Sequence, residues 1–538
     1  MPDLEHVEVK QSQIAGAGRG LFARKDFAPG DLVLSVDRPL VAEPEVERML
    51  DTCAWCFQRG ATDPVERAQA ASMGMPTGIV EVKSCTGCRR VGYCSKTCQA
   101  KAWKREHKYE CKILAPKDQP DLPVHVRAVI KLLGRLQADP EGKNGNLLDI
   151  LKFRPAGEPS ALHEFSQQDP KRFDDFKMLG HAVWKYCGEP KLENMEAQAA
   201  SRALLINVMC NCFELSSGLD DIHLGIGFDP LVSSANHSCD PNVVQVFNQP
   251  KTLLKAIKPI KKGDEIFLKY TDVTNPFSVR QADLKKTHLF TCQCAKCKQG
   301  PVLAQDIFLH ALGKLPQEHC QYADGLVGRH EPQLSRYSVS GKDATAKRRL
   351  AILQAEAFSV AEKPDSSIED IRRALQMCIT SGMWSWTRQP VPRLARRLFG
   401  LYLDSGEPYK AFRIGLKLYF EIDPKLAPQA FYPDRLTHAW VLSTITNVLC
   451  GAVHREIYQE FAQAGLDLRI VYFGFLFDVY DYLPRMHGRD SPLGLVVKNT
   501  YDQIMAGIGF SESQLRETVK SVWPALEAVA QGVEVASL

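Results

Sequence analysis

Two spacings of apolar residues alternate along the chain. LVLSV at 32–36 follows the turn Pro29-Gly30-Asp31, VVQVF and TLLKAI flank Asn248-Gln249-Pro250, and EIFLKY follows Gly263-Asp264. Short runs rich in β-branched and aromatic residues, bounded by turn formers, predict strands. Residues 1–50 and 201–275 therefore read as β-rich material split in sequence. Between them VRAVIKLLGRL has the apolar spacing of a helix, which predicts helices across 112–200. After about residue 300 the helical spacing takes over, with a capping box Ser366-x-x-Glu369 opening IEDIRRALQMC and the same periodicity in PRLARRLFGLYL.

One stretch of that C-terminal half, LFGLYLDSGEPYKAFRIGLKLYFEIDP, resembles a tetratricopeptide helix pair. Gly400, Tyr402, Ala411 and Pro424 stand where small or breaking residues suit it. A single copy predicts packed helix pairs and assigns them no chemistry.

Composition adds bounds. A chain of 538 residues exceeds what one core supports, so several domains are expected. Hydrophobic residues at 45% and charged residues at 24% are those of a globular protein. A net charge of +4 is too small to imply nucleic acid by itself. The N-terminal MPDLEHVEVKQSQ has no apolar signal core, and the most apolar run, IVYFGFLF, ends at Asp478 far short of membrane-spanning length. The expectation is a soluble monomer of the nucleus, the cytoplasm or both, with no membrane partner.

Seventeen cysteines without a secretion signal argue for metal binding over disulfides. In order they give Cys53-x2-Cys56, Cys85-x2-Cys88, Cys94-x3-Cys98 and His107-x3-Cys111, eight ligands that fill two tetrahedral zinc sites. Closed structural sites leave no open position for catalysis. This order resembles a MYND zinc finger, whose ligands interleave. The resemblance implies that Cys53, Cys56, Cys94 and Cys98 hold one zinc while Cys85, Cys88, His107 and Cys111 hold another. The spacer from Phe57 to Ser84 is longer than usual for that family. Nine Lys or Arg against two acids between Lys83 and Lys112 form a basic stretch, but the zinc thiolates carry compensating negative charge. Peptide docking is favoured there over DNA, whose binding is expected to be weak or absent.

A third group lies further on. Cys292-x-Cys294-x2-Cys297 offers three thiolates, and Cys239, set among the turn formers of SSANHSCDPN, supplies a fourth. Such a zinc would pin that loop to the later segment. Cys187, Cys210, Cys212, Cys320, Cys378 and Cys450 remain and are read as packing.

The chain thereby resembles the SET-and-MYND-domain family of protein lysine methyltransferases. The motifs that carry this are AGAGRGLFA at 15–23, VMCNCFEL at 208–215, GFDPLVSSANHSCDPN at 227–242, GDEIFLKYTD at 263–272 and RQADLKKTHLFTCQCAKC at 280–297. What the resemblance implies is an α+β multidomain chain, with the SET domain in parts at 1–50 and 201–275. A MYND finger would occupy 53–111, a helical insert 112–200, a post-SET zinc segment 276–300 and a TPR-like helical domain 301–538. It also implies S-adenosylmethionine as cofactor, three structural zinc ions and a protein or peptide lysine as substrate, histone or otherwise, with possible peptide ligands on the finger.

By the same resemblance Gly18, Arg19 and Gly20 form the N-terminal cofactor loop, and Asn236, His237 and Asn211 meet the cofactor. Phe290 packs on its adenine, and Tyr270 borders the methyl-transfer channel and is the catalytic candidate. Arg19 stands where some relatives carry asparagine. Gly16-x-Gly18-x-Gly20 is not a dinucleotide fingerprint, because the spacing and the surrounding strand and helix are missing. The competing expectation is a non-catalytic zinc scaffold or transcriptional co-regulator that binds peptides through its finger and helices.

Overall fold

The computed structural model describes residues 5–14, 16–60, 80–116, 118, 120–139, 159–189, 197–217, 222–300, 354–380, 384–463 and 465–535. Most of the long finger spacer, the chain from 301 to 353 and Cys320 lie outside the described residues. The chain divides into two units, Met1–Tyr270 with Asp283–Cys294, and Thr271–Ala282 with Ala295–Leu538.

The first unit is built on short strands, as the alternating runs predict. Strands β1 (Val7–Gln11), β2 (Arg19–Ala23) and β3 (Leu32–Val36) lead into β4 (Val41–Pro44). Two small strands, β5 (Lys83–Ser84) and β6 (Gly92–Tyr93), lie within the cysteine-dense segment predicted to be a finger. Strands β7 (Phe213–Ser216), β8 (His223–Phe228), β9 (Asn236–His237), β10 (Val243–Asn248), β11 (Lys251–Ala256) and β12 (Glu265–Leu268) follow. They form sheets ordered β1-β2-β12-β9, β10-β11-β3, β4-β8-β7 and β5-β6, so strands from before the finger and strands from after the helices share sheets. Val7, Leu21, Leu34, Ala235, Leu254 and Ile266, all buried, close one core beneath them.

The pairing that positions the site is parallel. In it Phe267 lies opposite Asn236 and Leu268 opposite His237. The chain then wraps β12. The N–H of Ser238 donates to Leu268 O at 2.9 Å, and the N–H of Asn242 to Phe267 O at 3.2 Å. The Asn242 carboxamide meets the same strand both ways, accepting from Phe267 N–H at 2.8 Å and donating to Glu265 O at 2.9 Å. The turn formers of SSANHSCDPN thus sit in a crossing rather than in a free loop.

Helices Val124–Ala138, Pro159–Gln168, Pro170–Tyr186 and Ala197–Asn211 complete this unit. The last departs from expectation, since residues 201–211 read as part of the β-rich stretch. Ala200, Leu204, Leu205 and Val208 recur at helical spacing and are all buried, so side-chain burial selects the helix.

The second unit is helical. Its longest buried helices, Pro433–Leu449 and Leu468–Met486, pack on each other, and Phe412, Leu442 and Phe475 are fully enclosed. The helix Ile368–Thr380 is capped one residue later than expected. Ser367 Oγ donates to Asp370 Oδ2 at 2.7 Å and accepts from Asp370 N–H at 3.1 Å, while Ser366 Oγ is turned away to Val360 O. Burial of Ser366 removes it from the helix start, and the shorter Asp370 carboxylate serves in place of Glu369.

Candidate functional site

Three clusters of cysteine and histidine come together. They are Cys53, Cys56, Cys94 and Cys98, then Cys85, Cys88, His107 and Cys111, then Cys239, Cys292, Cys294 and Cys297. Within each, the ligand atoms all lie within 4.8 Å of one another. Four soft donors at such separations fit a tetrahedral zinc, whose sulfur bonds are about 2.3 Å long.

Local backbone explains the finger clusters. In both CxxC turns the residue after the second cysteine, Phe57 and Arg89, takes the left-handed conformation, with φ of 60° and 59°. That reversal lets Phe57 N–H and Arg89 N–H donate back to the carbonyls of Cys53 and Cys85 at 2.8 Å, holding both sulfurs of a turn toward one point. Cys98 enters on the helix Lys96–Ala102, capped by Ser95 Oγ, which accepts from Cys98 N–H at 3.1 Å. The chain then widens to π geometry over Trp103–His107, which places His107 Nε2 3.3 Å from Cys85 Sγ and 3.8 Å from Cys88 Sγ.

Behind His107 lies a buried network of charges. His107 Nδ1 is 2.7 Å from Glu110 Oε1. Lys131 on the helix Val124–Ala138 reaches Glu110 at 3.3 Å and Glu106 at 3.9 Å, and it pairs with Glu43 of β4. Arg127 donates to Glu43 at 2.9 Å, and Arg38 to Glu106 at 2.9 Å. Burial works against charge on Glu106, yet Arg38, Lys131 and Arg105 pull its carboxyl down to about 2. At Glu43 burial wins and pushes the carboxyl up to about 6. The two acids of the basic finger stretch thus point inward and are matched there.

The remaining predicted residues converge around β9. Both hydrogens of the Asn236 carboxamide are used, one donated to Arg19 O at 3.0 Å and one to Glu265 Oε1 at 2.9 Å. Gly18 takes a left-handed φ of +70°, while Arg19 is exposed and meets Asn236 through its backbone. At Gly20 a Cβ would come 2.3 Å from Glu265 Oε1, so a larger residue there would displace the Glu265 carboxylate. Asn211 ends the helix Ala197–Asn211, where its carbonyl accepts from Ser233 Oγ at 2.9 Å and its Nδ2 donates to Asn207 O at 2.9 Å.

His237, Tyr270 and Phe290 form one group of rings, joined by His288, which the sequence reading left out. Ring centres lie 5.5 Å apart for His237 and Tyr270, 4.8 Å for Tyr270 and His288, and 6.1 Å for His237 and Phe290. Tyr270 N–H donates to His237 Nδ1 at 3.0 Å, which leaves the ring proton on Nε2, 3.3 Å from Cys239 Sγ. The Tyr270 hydroxyl donates to Ala235 O at 2.7 Å, and burial pushes its phenol above the usual range, so it stays protonated. Burial likewise lowers His288, and this neutral ring donates from Nδ1 to Cys210 O at 2.7 Å. The signal for His288 was its place two residues before Phe290 in the same motif. The signal for Glu265 was its place in GDEIFLKYTD.

The SET domain family model matches residues 18–271. Histone-lysine N-methyltransferase ASHR1 of Arabidopsis thaliana is 30% identical over 291 residues, covering 53% of this chain and 54% of that protein. Human histone-lysine N-methyltransferase SMYD3 is 28% identical over 306 residues, covering 55% and 62%, and human N-lysine methyltransferase SMYD2 is 28% identical over 285 residues, covering 52% and 58%. The chain thus spans 54% to 62% of the length of these relatives. A solved SET domain of LSMT with lysine and AdoHcy covers 74% of this chain and 87% of its own at 11% identity and a TM-score of 0.27, too loose to argue from. Among the described residues no helix is long and apolar enough to cross a membrane. The chain thus matches the SET domain over residues 18–271 and is similar there to the lysine methyltransferases named above.

Proposed function

We propose that the protein is an S-adenosylmethionine-dependent protein-lysine N-methyltransferase acting on lysines of histones or other proteins. The observation that carries this reading is the group formed by Asn236, His237, Tyr270, His288 and Phe290 around one parallel strand pair. The cofactor fits the donor set at hand, because Asn236 spends both amide hydrogens inside the protein and keeps its carbonyl oxygen to accept from an ammonium. Arg19 accepts from Asn236 through its carbonyl, and the Phe290 ring centre lies 6.1 Å from that of the neighbouring His237.

The cofactor supplies an electrophilic methyl on a sulfonium. Lysine, with a pKa of about 10.4, must arrive uncharged, and rings that exclude water favour that form. Tyr270 stays protonated and is not a base. With its hydrogen given to Ala235 O, its oxygen offers lone pairs to the amine hydrogens and so turns the nitrogen lone pair toward the methyl group. Alignment of this kind contributes roughly 7 to 11 kcal/mol when complete. The neutral His288 ring packs beside Tyr270, with ring centres 4.8 Å apart.

In this reading residues 53–111 are a MYND finger with two zincs, 112–200 an insert, 276–300 a post-SET segment with the third zinc, and 301–538 a TPR-like domain. The finger and helices bind peptides, and the protein works as a monomer in the nucleus or cytoplasm. The test is methyl transfer from radiolabelled S-adenosylmethionine to core histones and to a panel of cell proteins. Label recovered on lysine and lost with Tyr270→Phe is the expected result. Absence of transfer to any lysine by protein that binds the cofactor contradicts the proposal.

A further inference from the structure

Glu265 lies on β12 beside the predicted cofactor loop, 7% exposed, yet among the described residues no basic side chain is bonded to it. Its carboxylate is held by three neighbours. Ser12 Oγ lies 2.8 Å from Oε1 and 3.0 Å from Oε2, Gln13 N–H donates to Oε2 at 3.3 Å, and Asn236 Nδ2 donates to Oε1 at 2.9 Å. A nearly buried carboxylate held by neutral donors on one side and by a predicted ligand-binding amide on the other calls for a reason.

The chemistry of the two partners of Asn236 gives one. A carboxylate and a backbone carbonyl only accept hydrogen bonds, so the end of the carboxamide that faces Glu265 and Arg19 O must be the NH2 group. Its orientation follows from donor and acceptor types alone. Among the described residues no donor is bonded to Asn236 Oδ1, which therefore faces away from Glu265 as an acceptor. Gly20 makes room for this arrangement, because a Cβ there would also lie 3.2 Å from Asn236 Nδ2. Three separate segments, Ser12–Gln13, Arg19–Gly20 and β12, thus fix the direction of one amide.

We infer that Glu265 is a positioning residue: it locks the Asn236 carboxamide with its oxygen toward the ligand, and so makes this site select the ammonium end of the cofactor. The inference rests on the function proposed above. Glu265→Gln keeps size and shape but gives the amide a partner that can donate as well as accept, so only Arg19 O still holds the Asn236 side chain in this orientation.

The test compares two ligands on the zinc-loaded full chain, S-adenosylmethionine and 5′-methylthioadenosine, which lacks the amino-acid end. Glu265→Gln is expected to weaken the first at least tenfold and leave the second within about twofold, with zinc content and melting temperature unchanged. Glu265→Asp, which withdraws the carboxylate by one methylene, gives the same selective loss and serves if the first variant does not fold. Equal weakening of both ligands, or of neither, overturns the inference. Wild-type protein that binds no S-adenosylmethionine overturns the proposed function as well, which separates the two failures.

Discussion

The finger and the ring group lie in the same unit and use histidine in contrasting ways. His107 sits among cysteine sulfurs through Nε2 and is braced by Glu110 through Nδ1, with a network of acids and bases behind it. His237 and His288 spend their nitrogens on Tyr270 N–H, Cys239 Sγ and Cys210 O, holding rings in place around Tyr270. In the finger, donors and acceptors are turned inward on metal ligands and on one another. Beside the rings, no donor among the described residues is bonded to the carbonyl end of Asn236, which the proposed function assigns to the cofactor. In the proposed reading the first arrangement holds a fold and the second presents chemistry.

The largest expected effect breaks the finger. Cys111→Ser should lower the zinc count by mass spectrometry from three to two and melt the finger, since structural zinc contributes on the order of 10 kcal/mol to such folds. Retention of all three ions would remove Cys111 from the ligand set. Next comes Lys131→Met, which leaves Glu43 and Glu110 without the ammonium between them. Breaking a buried pair costs about 3 to 5 kcal/mol, readable as a shift in denaturant unfolding, and an unchanged midpoint would mean that the network is not holding charge.

Tyr270→Phe sharpens the contrast from the other side. Three zincs and the melting temperature should be kept while the methyl-transfer rate falls about a hundredfold, and an unchanged rate would remove Tyr270 from the reaction. Glu110→Gln weakens support of His107 and should cost about 10- to 100-fold in zinc affinity at that one site, measured by competition with a chelator. Equal weakening at all sites would show a general loss of fold instead. The smallest effect is Ser95→Ala, which removes the cap of Lys96–Ala102 and should cost about 1 kcal/mol in thermal unfolding.

How much of this was legible depended on whether the signal was local. Cysteine spacing carries ligand geometry directly, because a CxxC turn brings two sulfurs together through its own backbone, and all twelve predicted ligands fall into the three clusters. Strands such as Val243–Asn248 and Lys251–Ala256 were visible as runs bounded by turn formers. What escaped depended on distant partners. The charges of Glu43, Lys131 and Glu106 lie in ordinary surface-like sequence, and only folding brings them into one buried network. Glu265 looked like a strand residue until Ser12 and Asn236 were placed around it. The helix running to Asn211 was chosen by burial of Leu204, Leu205 and Val208, which strand-like flanks did not reveal. Ser367 replaced Ser366 as cap because Ser366 is buried against Val360.

The measurement that bears most directly on the central claim is calorimetric titration of S-adenosylmethionine into the zinc-loaded protein and into Asn236→Ala. The account predicts clear binding by the wild type and its loss in the variant, with three zincs retained in both. A folded, zinc-loaded wild type that takes up no cofactor would contradict it and leave the ring group as part of a non-catalytic zinc scaffold.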